Sequence, residues 1–354
     1  MSSRGVAAAA VSPAARRSPR LARRGAAPAT PAIARGSRTK ASSSVSSPVA
    51  DLAVRVSTTS ADVPFERISI EAAVPSTASK DAAAFDEVFV IPGNPGVPGY
   101  YERFAKTIWR ELQGRSKVSV IGYVGHTASD LGVTRWFSLA EQVEHVTAEI
   151  VKGRGGGKIA VVGHSIGAEI AMRAMAKHPN AIQKVVGLMP FVLTNERSKL
   201  QRFLASLVRV KPLVLFVASV VGFFKKVFPF FLTPATRGMD PDAKRLTKSW
   251  LRAGSVINMA LMGRTEFDGL KDPRNDRDAA NLETYAERVH LLYCEDDHWA
   301  PTWQAEAFKG RYAEADVAVF SPSSQEVKVE HAFVLSDAAA DLVALRTAGM
   351  LLRR

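Results

Sequence analysis

Ile159-Ala160-Val161-Val162-Gly163-His164-Ser165-Ile166-Gly167-Ala168-Glu169-Ile170 reads as an apolar strand, a tight turn bearing a serine, and the start of a helix. Gly163-His164-Ser165-Ile166-Gly167 fits the Gly-x-Ser-x-Gly pattern of a sharp strand-to-helix turn that presents a serine hydroxyl. Small residues two places either side of the serine let strand and helix approach without a clash. The pentapeptide alone also fits an ordinary strand-to-helix turn. Its surroundings favour the presented serine: Val161 and Val162 precede it, and Ala168, Ile170, Ala171, Met172 and Ala174 give the following helix an apolar face.

Working outward, the same alternation recurs on both sides. Leu52, Val54 and Val56, then Phe65, Ile68 and Ile70, suggest two early strands, and Asp86 to Ile91 reads as a buried one. That strand runs into Pro92-Gly93-Asn94-Pro95-Gly96-Val97-Pro98-Gly99, where three Gly and three Pro can neither continue a strand nor fill a helix. A helix from Tyr101 to Leu112, a strand from Val118 to Val124 and a helix from Phe137 to Ile150 follow. Gly153-Arg154-Gly155-Gly156-Gly157-Lys158 is a connector and no phosphate loop, because it precedes a strand and Lys158 is followed by Ile159 where Ser or Thr is needed. Past the central stretch come a strand at Lys184 to Leu188, another at Val289 to Cys294, a helix at Thr302 to Arg311, a strand at Val317 to Phe320 and a helix at Asp337 to Leu352. The expectation is an α/β fold: a mostly parallel central sheet with helices on both faces, formed by residues 51–190 and 286–354.

Residues 191–285 break the alternation and read as an inserted lid. Its apolar segment, 203–232, contains an uncharged run from Pro212 to Phe224 between Arg209, Lys211 and Lys225, Lys226. Thirteen uncharged residues fall short of the roughly 20 that span a bilayer. Two readings stand: a buried lid helix, or a segment dipping into one lipid leaflet with the basic residues at headgroup level. Leu213, Leu215, Phe216, Phe223, Phe224, Phe228, Phe230 and Phe231 are the candidate lipid contacts.

The formal charge of +13 is unevenly placed. Residues 1–50 hold eight Arg and Lys40 with no acidic and no aromatic residue, so only about +4 belongs to the rest, and nucleic-acid binding is excluded as the reading of the basic balance. This Ala-, Ser-, Pro- and Arg-rich stretch has the composition of a disordered organelle transit peptide. It points to a plastid, with a mitochondrion or a cytosolic lipid droplet as alternatives. Cys294 is the single cysteine, which rules out an intrachain disulfide.

A serine hydroxyl is a weak nucleophile until an oriented base takes its proton. Ser165, an acid after a late strand and His331 after the last strand occur in the Ser–acid–His order that suits a sheet of this kind. Each lies just past the carboxyl end of a strand, the edge where such sheets bind ligands. Asp296 and Asp297 are adjacent and only one can face His331; Asp297 is preferred and Asp296 is the alternative. The oxyanion hole requires two backbone N–H donors. Ile166, after the serine, supplies one; Asn94 supplies the other, since Pro95 has no N–H. Such a set requires no metal and no organic cofactor.

These residues resemble the lipid droplet-associated hydrolase family of α/β hydrolases. The resemblance rests on Pro92-Gly93-Asn94-Pro95-Gly96 with Tyr100, Tyr101 and Phe104; on Gly125-His126; on Gly163-His164-Ser165-Ile166-Gly167; on Asp297-His298-Trp299-Ala300-Pro301; and on His331-Ala332-Phe333-Val334-Leu335. It covers about 85–190 and 286–340. It implies an α/β-hydrolase fold with Ser165 as nucleophile, Asp297 as acid, through an Asp-x-Trp pattern, and His331 as base. It also implies association with a lipid droplet through the apolar segment. The expected function is a serine hydrolase of lipid carboxylic esters, an acylglycerol or sterol ester, acting at a droplet or membrane surface through an acyl-enzyme. A weakly active droplet-organising protein on the same fold and an acyltransferase using the same triad are the alternatives.

Overall fold

The computed structural model describes residues 52–58, 64–73, 85–128, 135–153, 156–227, 233, 236–271, 282–321 and 327–353. Residues 1–50, read above as a transit peptide, and the candidate lipid contacts Phe228, Phe230 and Phe231 lie outside the described residues.

Among the described residues, eight strands form one sheet: β1 (Leu52–Thr58), β2 (Glu66–Ala72), β3 (Glu87–Ile91), β4 (Lys117–Ile121), β5 (Ile159–His164), β6 (Ile182–Leu188), β7 (Val289–Cys294) and β8 (Asp316–Phe320). Their order across the sheet is β1-β2-β4-β3-β5-β6-β7-β8. The first two pairings are antiparallel and all later ones parallel, so the sheet is mostly parallel as expected. Every residue of β3, β5 and β7 is buried. Their near-continuous apolar runs are the pattern of parallel strands covered on both faces.

Among the described residues the helices are α1 (Glu102–Glu111), α2 (Leu139–Gly153), α3 (Ile166–Lys177), α4 (Lys199–Arg209), α5 (Lys211–Val227), α6 (Pro241–Trp250), α7 (Ala253–Gly269), α8 (Thr302–Arg311) and α9 (Asp337–Leu352). Alternate residues of β5 face opposite layers. Ile159 and Val161 pack in one apolar cluster with Val143, Val146, Ile170 and Phe308 of α2, α3 and α8. Ala160 and Val162 pack in the other with Phe104, Ile108, Val343 and Ala344 of α1 and α9.

Some boundaries differ from the sequence reading. The strand expected to reach Val124 ends at Ile121, because Gly122 N–H turns to the Glu66 carbonyl and Tyr123 N–H to that of Gly96. The helix expected from Tyr101 starts at Glu102, after a 3-10 turn at Pro98–Tyr101. The helix expected from Phe137 begins at Leu139, after a capping box: Ser138 N–H donates to Glu141 Oε2 (2.8 Å) and Glu141 N–H to Ser138 Oγ (3.3 Å).

β6 pairs directly with β7, so the chain between Leu188 and Val289 leaves the sheet and returns to it. The insertion carries α4 to α7. The uncharged run forms most of α5, but α5 is not a buried lid helix. Only Val214 and Ala218, one turn apart, are buried there, whereas Phe216 is 65% and Phe223 57% exposed. α5 is apolar around most of its circumference, yet it packs on α7 and α4 along a single stripe. Among the described residues no single helix is long and apolar enough to cross a membrane; α4 and α5 reach that length together but bend by 92° between them.

Candidate active site

The turn between β5 and α3 is built as its sequence demands. Ser165 has φ 55° and ψ −123°, a strained conformation for a residue with a side chain, and its N–H donates to the Leu188 carbonyl at 2.9 Å. A Cβ on Gly163 would meet the Gly167 carbonyl oxygen at 2.2 Å, and one on Gly167 would meet that of Ile91 at 2.3 Å. Both positions therefore require glycine, since strand, turn and helix touch through backbone.

His331, in the loop before a 3-10 turn at Phe333–Leu335, lies between Ser165 and Asp297. Its Nε2 is 2.9 Å from Ser165 Oγ and its Nδ1 is 2.6 Å from Asp297 Oδ2. An ionised carboxylate only accepts, so Nδ1 carries the proton and Nε2 accepts from the serine hydroxyl. The Asp297 side chain is fully buried, and its Oδ1 accepts from the N–H groups of Trp299 (2.7 Å) and Ala300 (3.1 Å). Burial opposes its ionisation. The His331 hydrogen bond, the charge that ring carries once protonated, and the two N–H donors outweigh burial and hold the carboxyl below its usual range. Asp296 is exposed.

The structure joins a further pair of side chains to the site. The His331 carbonyl can only accept, so His164 Nε2, at 2.8 Å, donates to it. Burial, reinforced by the neighbouring His331, pushes the His164 pKa down to about 3, and the ring is neutral. Its Nδ1 therefore accepts from the Tyr101 hydroxyl at 2.5 Å, which in turn accepts from Gly93 N–H at 2.8 Å. One line of hydrogen bonds thus ties the Pro92–Gly96 loop, the serine turn and the His331 loop together.

The Pro92–Gly96 loop is fixed on its other side as well. Tyr123 Oη–H donates to the Pro92 carbonyl, and Gly96 N–H donates to His126 Nδ1 at 3.0 Å. Asn94 Nδ2 donates to the Met259 carbonyl (3.0 Å) and to Glu266 Oε1 (2.9 Å), both on α7. Among the described residues, the backbone N–H groups of Asn94 and Ile166 have no protein acceptor.

Ser165 and His331 open on a cavity of about 450 Å3 whose walls are mainly apolar, including Phe191, Leu204, Leu213 and Trp299. Of the candidate lipid contacts, Leu213 lines this cavity; Leu215, Phe216 and Phe223 are exposed on the outer side of α5, and Phe224 is half-buried. α7 contributes Val256, Met259, Gly263 and Glu266, a spacing of three to four residues that keeps one helix face on the cavity. Burial pushes the Glu266 carboxyl up to about 8, the Asn94 hydrogen bond opposing it only in part. The sequence reading passed over Glu266, Tyr101 and His164 as contributors. The signal for Glu266 was present as a single acid in an otherwise apolar helical stripe; His164 and Tyr101 lie 63 residues apart, and their contact has no local mark.

The sequence profile of the family described as "Lipid-droplet associated hydrolase" matches residues 86–334. Curated relatives bearing that name include one from Gallus gallus, 24% identical over 277 residues, covering 73% of this chain and 82% of the relative. Another, from Dictyostelium discoideum, is 22% identical over 269 residues, covering 70% of this chain and 82% of the relative. Among solved structures, the haloalkane dehalogenase DatA from Agrobacterium tumefaciens superposes with a TM-score of 0.58 at 15% identity, covering 85% of this chain and 96% of that one. A carboxylesterase structure from Nitrososphaera gargenis gives 0.53 at 12% identity, covering 87% and 98%. At such identities these structures speak for the fold alone, which is that of α/β hydrolases. With a profile match over most of its length, this chain belongs to the lipid-droplet associated hydrolase family.

Proposed function

We propose that the protein is a serine hydrolase of lipid carboxylic esters working at a lipid-droplet or membrane surface. The observation that carries this reading is the Ser165–His331–Asp297 chain of hydrogen bonds, at 2.9 and 2.6 Å, opening on an apolar cavity. Ser165 Oγ attacks the acyl carbonyl carbon while His331 Nε2 takes its proton. Asp297 holds the ring through Nδ1–H and offsets the imidazolium charge. The free N–H groups of Asn94 and Ile166 receive the tetrahedral oxyanion, the latter at the amino end of α3. The intermediate collapses, the ester C–O bond breaks, and His331 returns the proton to the departing alcohol. Water, deprotonated by the same nitrogen, then releases the acid from the acyl-serine.

The apolar cavity wall suits a long acyl chain or a sterol, as in an acylglycerol or sterol ester. The exposed outer side of α5, with Lys225 and Lys226 at its end, suits shallow contact with lipid. The same exposed face favours a second reading, an organising role at the droplet in which turnover is slow. A panel of acylglycerol, sterol and short-chain nitrophenyl esters, tested on wild type and Ser165→Ala, separates the two. Hydrolysis lost by about 10^3-fold or more in Ser165→Ala supports the enzyme; equal rates for both proteins reject it.

The basic, acid-free residues 1–50 support delivery to a plastid. Those fifty residues fused to a fluorescent protein should enter plastids, and diffuse cytosolic fluorescence would reject that destination.

A further inference from the structure

Asn94 is held through its side chain by the insertion, and the terms of that hold are unusual. Both hydrogens of its Nδ2 are used, one on the Met259 carbonyl and one on Glu266 Oε1. Its Oδ1 is buried and, among the described residues, has no partner. Glu266 is itself 6% exposed. Among the described residues, Asn94 is the one side chain that hydrogen-bonds its carboxyl, and no basic group pairs with it. The orphaned amide oxygen and the unpaired buried acid account for one another. A primary amide and a carboxylic acid are complementary: the amide N–H donates to one acid oxygen, and the acid O–H donates to the amide oxygen. An ionised Glu266 would leave a charge uncompensated beside the cavity and Asn94 Oδ1 without a donor, both of them costly. A neutral Glu266 removes that charge and brings an O–H donor to the residue already bonded to the Asn94 amide, and burial favours that form at neutral pH.

We infer that Glu266 is a positioning residue: as a neutral acid paired with the Asn94 amide, it sets the direction of the Asn94 backbone N–H and makes α7 of the insertion a working part of the oxyanion hole. The inference rests on the serine-hydrolase reading above. Two further contacts support the same junction. Asn258 of α7 accepts from Phe137 N–H at 3.2 Å and packs against Gly125, in the segment that carries His126. His126 in turn receives Gly96 N–H at 3.0 Å. The loop is therefore tied to α7 on both sides of Pro95.

The test is the rate at which a fluorophosphonate probe modifies the full-length protein, since phosphonylation also builds charge on an oxygen in the oxyanion hole. Glu266→Gln presents the same acceptor and donor and should react within about threefold of wild type. Glu266→Met, and Asn94→Ala, should each react about 10- to 100-fold more slowly. The double variant should be no slower than Asn94→Ala alone, because Glu266 acts through Asn94. With 4-nitrophenyl butyrate, Glu266→Met should lower kcat while leaving KM within about twofold, a split that general loosening would not produce. Should Glu266→Met fail to fold, Glu266→Asp, which withdraws the acid by one methylene, replaces it with the same expectation. Wild-type rates in Glu266→Met, a Gln variant as slow as Met, or fully additive losses in the double variant would each overturn the inference. Absence of labelling in wild type would instead remove the hydrolase reading, and this inference with it.

Discussion

Asp296 and Asp297 differ by one position in the chain and by their whole environment. Asp297 is buried, accepts two backbone N–H groups and meets His331 at 2.6 Å, while Asp296 faces solvent. Asp297→Asn should leave the fold in place and lower ester turnover by roughly 10^3 to 10^4-fold, because an amide can donate to Nδ1 and favours the wrong tautomer. Asp296→Asn should stay within about threefold of wild type. Equal losses in the two variants, read as kcat/KM, would reject the distinction. At this scale the sequence was legible where a residue belongs to a short pattern: Ser165 in its pentapeptide, and Asp297 in its Asp-x-Trp context. It was silent on His164, whose bonds reach Tyr101 and the His331 carbonyl across 63 and 167 residues. Three-dimensional closure creates that line, and no local spacing encodes it.

Among the elements, the sheet strands and the flanking helices follow from periodicity, and β7, α8 and α9 have the limits the sequence indicated. The insertion is different. α5 is too uniformly apolar for its pattern to say which face is covered, and only packing on α7 and α4 decides that Val214 and Ala218 turn inward. Replacing the outward Phe216 and Phe223 together by Ser should shift the melting temperature by no more than about two degrees, since both side chains are more than half exposed. The same change should reduce flotation with phospholipid-coated triacylglycerol droplets several-fold. Ala218→Asp, which puts a charge under the helix, should instead lower the melting temperature markedly. Unchanged flotation of the Phe216→Ser, Phe223→Ser protein would count against lipid contact through α5.

Across the whole molecule, Ser165, Asp297 and His331 come from loops after β5, β7 and β8, and parallel pairing brings those strand ends to one edge. This explains why residues up to 166 positions apart meet within hydrogen-bond distance. The insertion between β6 and β7 then covers that edge, supplying most of the apolar wall and, through Glu266, a tether for the Asn94 loop. The central claim is that Ser165 is a nucleophile activated in this setting. Its most direct test is mass-spectrometric mapping of the adduct formed when the purified protein reacts with a fluorophosphonate. The account predicts one phosphonyl group, on Ser165, absent from Ser165→Ala and strongly slowed in His331→Ala. No adduct in the folded wild type, or an adduct that persists in Ser165→Ala, would contradict it.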